Sequence, residues 1–176
     1  MRFEREPLDF TVHKDMPWNH IKKQYLKHLA GFIALSWYDR HRDGVRVVGN
    51  PEYPLYQKLS EELGVPINQD STLVWAFDCV ESYINPEDFF HRDICKNETV
   101  YVTCPYRALV PMWSYNHWAE YSPERFTKLA NHHGYAVVNQ ESHIIWRKWY
   151  QYLGFRAITR LFFPYHLGLY KLVKII

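Results

Sequence analysis

The spacing of apolar residues changes along this chain, and each change marks an element. Over residues 18–37 they recur three and four apart: Trp18, Ile21, Tyr25, Leu29, Phe32 and Ile33 line one face, with Ser36 at its end. This predicts a helix opened by Pro17. Lys22, Lys23 and Lys27 lie on its other side and read as a solvated basic face. After the charged turn 39–44, RVVGN is a short strand running into the loop GNPEYP, and residues 55–63 form the next helix. Residues 73–80 are short and almost continuously apolar, as in a strand covered on both faces of a parallel sheet. Asn85 as N-cap, Pro86 in the first turn, and Glu87 and Asp88 at the positive helix end predict a helix to about Cys95. A β-branched and aromatic strand follows over 99–103, ended by Pro105.

Further on, Ser122 and Pro123 open a helix through Asn131 that Gly134 ends. Residues 135–139 read as a strand and 144–152 as a helix ended by Gly154. Residues 155–163 and 167–176 read as two strands around Pro164-Tyr165-His166, with Lys171 and Lys174 on the solvent side of the last one. Strand, crossover helix and parallel strand over 73–103 form one right-handed unit, which sets the fold class as α/β. The expectation is a mostly parallel sheet with helices on both faces and a C-terminal antiparallel hairpin. The chain of 176 residues fits one domain. Within it, 1–44 are an arm and a helix, 45–138 the core, and 139–176 an aromatic and basic extension.

Composition narrows the partners. A net charge of +2 is too small to imply nucleic acid. No run of about 20 apolar residues exists, so no membrane span is expected. The N-terminal residues lack the apolar core of a secretory leader, and Cys79, Cys95 and Cys104 follow no disulfide or zinc spacing. Both features point to a cytoplasmic protein with reduced thiols. The ten histidines include no pair spaced as ligands on one helix, so no metal is expected. Arg147, Lys148, Arg156 and Arg160 among Trp146, Trp149 and Tyr150 read as a partly buried helix whose basic side chains reach out to water. The same composition suits a homodimer interface.

FDCVESYINPEDFF followed by VYVTCPY resembles the fourth and fifth strands of class I S-adenosylmethionine-dependent methyltransferases. HWAEYSPERFTKLANHHGYAVV resembles that family's next segment: a His after a proline loop, a serine-capped helix, a glycine-aromatic turn and a strand. The resemblance covers about residues 46–138 and implies a Rossmann-like fold in a truncated version. It also implies S-adenosylmethionine as cofactor and a helix before the first strand that covers the cofactor pocket. The family's glycine-rich loop has no clear counterpart. Either RVVGN is the first strand, GNPE stands at that loop and Asp70 ends the second strand, or RVVGN is the second strand, Asn50 or Glu52 replaces the ribose-binding acid, 55–63 is the helix after it and INQDS carries the acid near adenine at Asp70. The second alignment fits the distance to FDCV better. It leaves the first strand and its loop missing.

The resemblance places Gly49, Asn50, Glu52, Asp70, Asp78 and Glu81 at the cofactor. Glycines in such a loop let the backbone come close to a ligand, whereas GNPEYP offers more bulk and fewer N–H groups. The loop after Pro105 is rich in aromatics, and Tyr106, Trp113, Tyr115 and Trp118 are placed to wall a pocket for a flat or sugar-like acceptor. His117, with Glu120 as partner, either orders this loop or takes a proton from an acceptor hydroxyl, a role worth about 10²–10⁴-fold. The leading expectation is a methyltransferase acting on a small hydroxylated or sugar-like molecule. Its rival is an inactive interaction module of the same fold.

Overall fold

In a computed structural model that describes residues 18–35, 43–94, 99–107, 120–146 and 164–175, one mixed sheet forms the centre. Its strands are β1 (Arg46–Val47), β2 (Leu73–Ala76), β3 (Thr99–Arg107), β4 (Tyr135–Ile145) and β5 (Tyr165–Lys174), in the spatial order β1-β2-β3-β5-β4. β1, β2 and β3 are parallel, with Arg46 opposite Val74 and Val74 opposite Val100. β5 runs antiparallel between β3 and β4. The fold is therefore α/β, as expected, with β1, β2 and β3 parallel and β5 antiparallel to both of its neighbours.

Alternation along the strands divides the core. Leu73, Trp75, Phe77 and Tyr101 point to one face, under α1 (His20–Leu35) and α2 (Pro54–Leu63). Val74, Ala76, Val100, Val102 and Cys104 point to the other, under α4 (Pro123–His132) and the segment that follows β2. That segment begins with a turn of helix, α3 (Pro86–Asp88), where the Asn85 side chain accepts from the Glu87 N–H and so caps it. It widens over Phe89–Asp93 into a π-helical turn in which the consecutive Phe89 and Phe90 are both buried. Ser122 caps α4 in the same manner, accepting from the Arg125 N–H. Four positions expected on the apolar face of α1, Tyr25, Leu29, Phe32 and Ile33, are fully buried.

Several boundaries differ from the sequence reading. β2 stops at Ala76, because Asp78 turns the chain with φ 53. The helix after Asn85 ends at Asp93, two residues before Cys95. β4 runs through Ile145, so Ile144 and Ile145 belong to a strand and do not open a helix; both pair with β5, opposite His166 and Tyr165. The last strand finds its partners in β3 and β4, while residues 147–163 lie outside the described residues. Lys22, assigned to the solvated face of α1, has a side chain only 14% exposed. A long apolar stem lets a lysine follow a buried path, which polarity patterning alone does not reveal.

The largest correction concerns β1. In the doubly wound order 3-2-1-4-5-6 the neighbour of the fourth strand is the first. RVVGN pairs directly with the FDCV strand β2, so it holds the place of the first strand, not the second. On its far side, among the described residues, β1 is joined only by an isolated parallel bridge between Val45 and Ile67. Residues 48–72 contain α2 and this single bridge, so the second strand is reduced to one residue and no third strand lies between β1 and β2.

Candidate functional site

The chain leaves β1 through α2 to Ile67 on one side, then returns to form β2 on the other. The order of the sheet thus reverses at β1. The crevice outside the carboxyl ends of the strands at such a reversal is where doubly wound sheets bind ligands. Here the two strands part around one hydroxyl: Tyr56 donates to the Val48 carbonyl at 2.8 Å and accepts from the Phe77 N–H at 2.9 Å. Immediately beyond, Gly49 turns the chain at φ 93 and Asp78 does so at φ 53. A positive φ is uncommon for a residue with a side chain, although Asp tolerates it better than most, and such outliers concentrate at functional sites.

Asp78 gathers hydrogen-bond partners from three parts of the chain. Its backbone N–H donates to Thr103 Oγ1 of β3 at 2.8 Å. Its carboxylate accepts from the Tyr53 hydroxyl at 2.9 Å and from the Lys22 ammonium of α1. With side-chain exposures of 14% and 7%, Lys22 and Asp78 form a largely desolvated ion pair. The ammonium also stands 4.6 Å from the centroid of the Tyr25 ring and 5.5 Å from that of Tyr53, within cation–π range. Burial, then the nearby Asp78 charge, push the Tyr53 phenol far above its ordinary range, so Tyr53 stays a donor.

Helix α1 is fastened to the sheet at three further points. Gln24 accepts from the Trp146 N–H at 2.9 Å and donates to the Trp146 carbonyl at 2.6 Å, just past β4. His28 stacks on His143 of β4 with ring centroids 4.0 Å apart, and the Tyr25 hydroxyl meets that of Tyr165 at the start of β5. The expected cover over the carboxyl end of the sheet is therefore in place, and it inserts a lysine into the site.

Behind Asp78, the 3-10 turn Val80–Ser82 carries Glu81, which has no exposed surface. Burial raises its carboxyl well above the usual range, and the Asp78 charge raises it further against the opposing pull of Lys22. Glu81 therefore favours its neutral form more than an exposed glutamate does. Burial likewise raises the thiols of Cys79 and Cys104, so neither is a ready nucleophile.

Of the residues assigned from sequence to a cofactor, Gly49, Asn50, Asp78 and Glu81 fall at the carboxyl ends of β1 and β2, with the exposed Glu52 on the adjoining loop. The loop closes on itself: Asn50 accepts from the N–H of Glu52 through its side chain and from that of Tyr53 through its carbonyl, at 2.9 and 3.0 Å. Pro51 and Pro54 have no N–H to give. Asp70 is not brought to this cluster. It is exposed, in a turn whose Asn68 side chain bonds the Asp43 carbonyl and whose Ser71 hydroxyl bonds the Gly44 carbonyl, at the amino end of β1. A second strand of one residue is too short to carry the acid to the other end of the sheet.

On the acceptor side, Tyr106 is buried at the carboxyl end of β3, stacked on His166 and bonded to the Ser142 hydroxyl at 2.7 Å. Glu120 lies just before α4, where its carbonyl accepts from the Arg125 guanidinium. Trp113, Tyr115, His117 and Trp118 lie outside the described residues. The residues missed from sequence are Lys22, Tyr53, Tyr56 and Thr103. Only Tyr53 had a signal, its position in the loop after β1. Among the described residues no three His, Cys, Asp or Glu side chains converge as a metal site, and no helix is long and apolar enough to cross a membrane.

Sheet order, reversal point and covering helix together define the Rossmann-like fold of class I S-adenosylmethionine-dependent methyltransferases, with the second and third strands curtailed. A protein from Galdieria sulphuraria assigned as a sarcosine dimethylglycine methyltransferase superposes with a TM-score of 0.58 at 12% identity, over 87% of this chain and 86% of that one. A methyltransferase from Geobacter sulfurreducens, solved in complex with S-adenosyl-L-homocysteine, reaches a TM-score of 0.48 at 13% identity over 96% and 98% of the two chains. No family model and no curated protein matches the sequence.

Proposed function

We propose that this chain binds S-adenosylmethionine in the crevice at the carboxyl ends of β1 and β2 and transfers its methyl group to a small hydroxylated or sugar-like acceptor. The observation that carries this reading is the buried, left-handed Asp78 beside the Gly49 turn at the point where strand order reverses. A sulfonium is a cation, and with Tyr53 donating to the Asp78 carboxylate and Thr103 accepting from the Asp78 N–H, the carboxylate is held ready to face one. Methyl transfer needs no covalent enzyme intermediate. Holding the methyl carbon and the acceptor oxygen in line supplies about 7–11 kcal/mol of the barrier lowering.

In this reading Gly49, Asn50, Glu52, Asp78 and Glu81 surround the cofactor. The acceptor approaches from the side of β3, where Tyr106 stands next to the last residue of the strand and Trp113, Tyr115, His117 and Trp118 follow in the sequence. His117, with Glu120 before α4 as its partner, takes the hydroxyl proton. Calorimetric titration with S-adenosylmethionine and S-adenosylhomocysteine is the test. Saturable heat with a rise in melting temperature is expected; no heat and no shift at millimolar ligand removes the reading.

A second reading has one observation in its favour: Lys22 and Tyr53 already fill the space beside Asp78. A chain that keeps them there permanently is an interaction module of the same fold. It gives no heat with either ligand and a sedimentation coefficient that rises with protein concentration, as a homodimer requires.

A further inference from the structure

The surroundings of the Lys22 ammonium have the composition of a receptor for an organic cation. Two tyrosine ring faces stand 4.6 and 5.5 Å away, and one buried carboxylate supplies the countercharge. Aromatic faces around a carboxylate recognise onium ions, which carry charge without N–H donors. A primary ammonium is the less demanding guest. It arrives on a flexible stem from the first turns of α1, where the neighbouring Asn19, His20 and Lys23 are exposed.

We infer that Tyr25, Tyr53 and Asp78 form a cation cage that Lys22 occupies in the closed chain, and that an organic onium ion, sulfonium or quaternary ammonium, enters in its place. The exchange keeps the site neutral. Removing Lys22 without replacement leaves a buried carboxylate uncompensated, which is costly; exchanging it for another cation is not. The carboxylate keeps its other supports throughout, since the Tyr53 hydroxyl donates at 2.9 Å and Thr103 anchors the Asp78 backbone at 2.8 Å. The displaced ammonium needs only to swing outward to reach water. The cage shares its place with the proposed cofactor site but does not depend on methyl transfer, because a cationic acceptor carries the same chemistry.

Chemical rescue of K22M tests this. The variant melts below wild type, and tetramethylammonium chloride raises its melting temperature saturably where sodium chloride at equal ionic strength does not; wild type, its cage filled, responds weakly. S-adenosylmethionine binds K22M about tenfold or more tighter than wild type, because the closed state no longer competes, and the neutral thioether of S-adenosylhomocysteine gains less. Rescue by tetramethylammonium without S-adenosylmethionine binding keeps the cage and removes the methyltransferase reading. A gain for S-adenosylmethionine alone keeps the cage and restricts it to the sulfonium. Equal S-adenosylmethionine binding by both proteins with no rescue overturns the cage and leaves that reading standing. If K22M does not fold, hydrogen exchange of wild type decides: faster exchange over residues 20–28 on adding either cation supports displacement, and unchanged exchange overturns it.

Discussion

Thr103 holds Asp78 in its left-handed turn: the Asp78 N–H, where β2 has already ended, donates at 2.8 Å to the Thr103 hydroxyl of β3 instead of to a backbone carbonyl of that strand. Both residues are buried, so T103V leaves that N–H unpaired away from water. A loss of about 1–3 kcal/mol in urea unfolding is expected, and T103S retains most of it. A T103V protein as stable as wild type contradicts this role.

Glu81 predicts the alkaline side of the stability profile. Its carboxyl is raised by burial and then by Asp78, so the folded chain binds a proton that the unfolded chain has released. That contribution is complete below the ordinary glutamate range and is lost as pH rises toward the folded value, with a slope of at most about 1.4 kcal/mol per pH unit. E81Q carries no such proton. Its stability between pH 5 and 8 is expected to fall less than that of wild type, as measured by chemical denaturation at each pH.

On the acid side, His28 acts in the opposite sense. Burial, the stacked His143 and the adjacent Lys27 lower its pKa against the opposing pull of Glu141. The folded chain therefore resists protonation there. Stability is fully present above the ordinary histidine range and declines as pH falls through it. H28Q is expected to move the acid limb of the thermal melting profile to lower pH, and an unmoved limb contradicts the assignment.

Two glycines separate conformational strain from crowding. Gly44 and Gly134 both have positive φ, 89° and 79°. A Cβ on Gly44 meets the Pro66 carbonyl at 2.6 Å and the Asn68 Cβ at 2.9 Å, whereas one on Gly134 meets nothing within 4 Å. G134A carries only the backbone cost, of order 1–3 kcal/mol. G44A must also push away the segment that bridges Ile67 to β1, so it unfolds at clearly lower denaturant than G134A; equal midpoints contradict the packing at the curtailed second strand.

The sequence made the middle of the chain readable because its signals there are redundant. Residues 73–76 and 99–103 are apolar runs on either side of a capped, proline-opened helix, and both are parallel strands in the structure. Gly49 and Asp78 were placed by the family resemblance that this stretch carries. The identity of β1 was not readable, because a strand of two residues and a bridge of one carry no periodicity, and counting residues back from β2 favoured the wrong neighbour. Lys22 and Tyr53 were hidden for another reason: each takes its role from Asp78, 56 and 25 residues away in the chain. No local pattern encodes such a meeting.

A crystal structure of the chain grown with S-adenosylmethionine tests the central claim, that the reversal point beside Asp78 is a ligand site. The account predicts the ligand between the Gly49 turn and Asp78, its sulfonium toward the carboxylate and the faces of Tyr25 and Tyr53, with the Lys22 ammonium turned away. Lys22 still seated on Asp78 at saturating ligand, or the ligand bound at another part of the sheet, contradicts it.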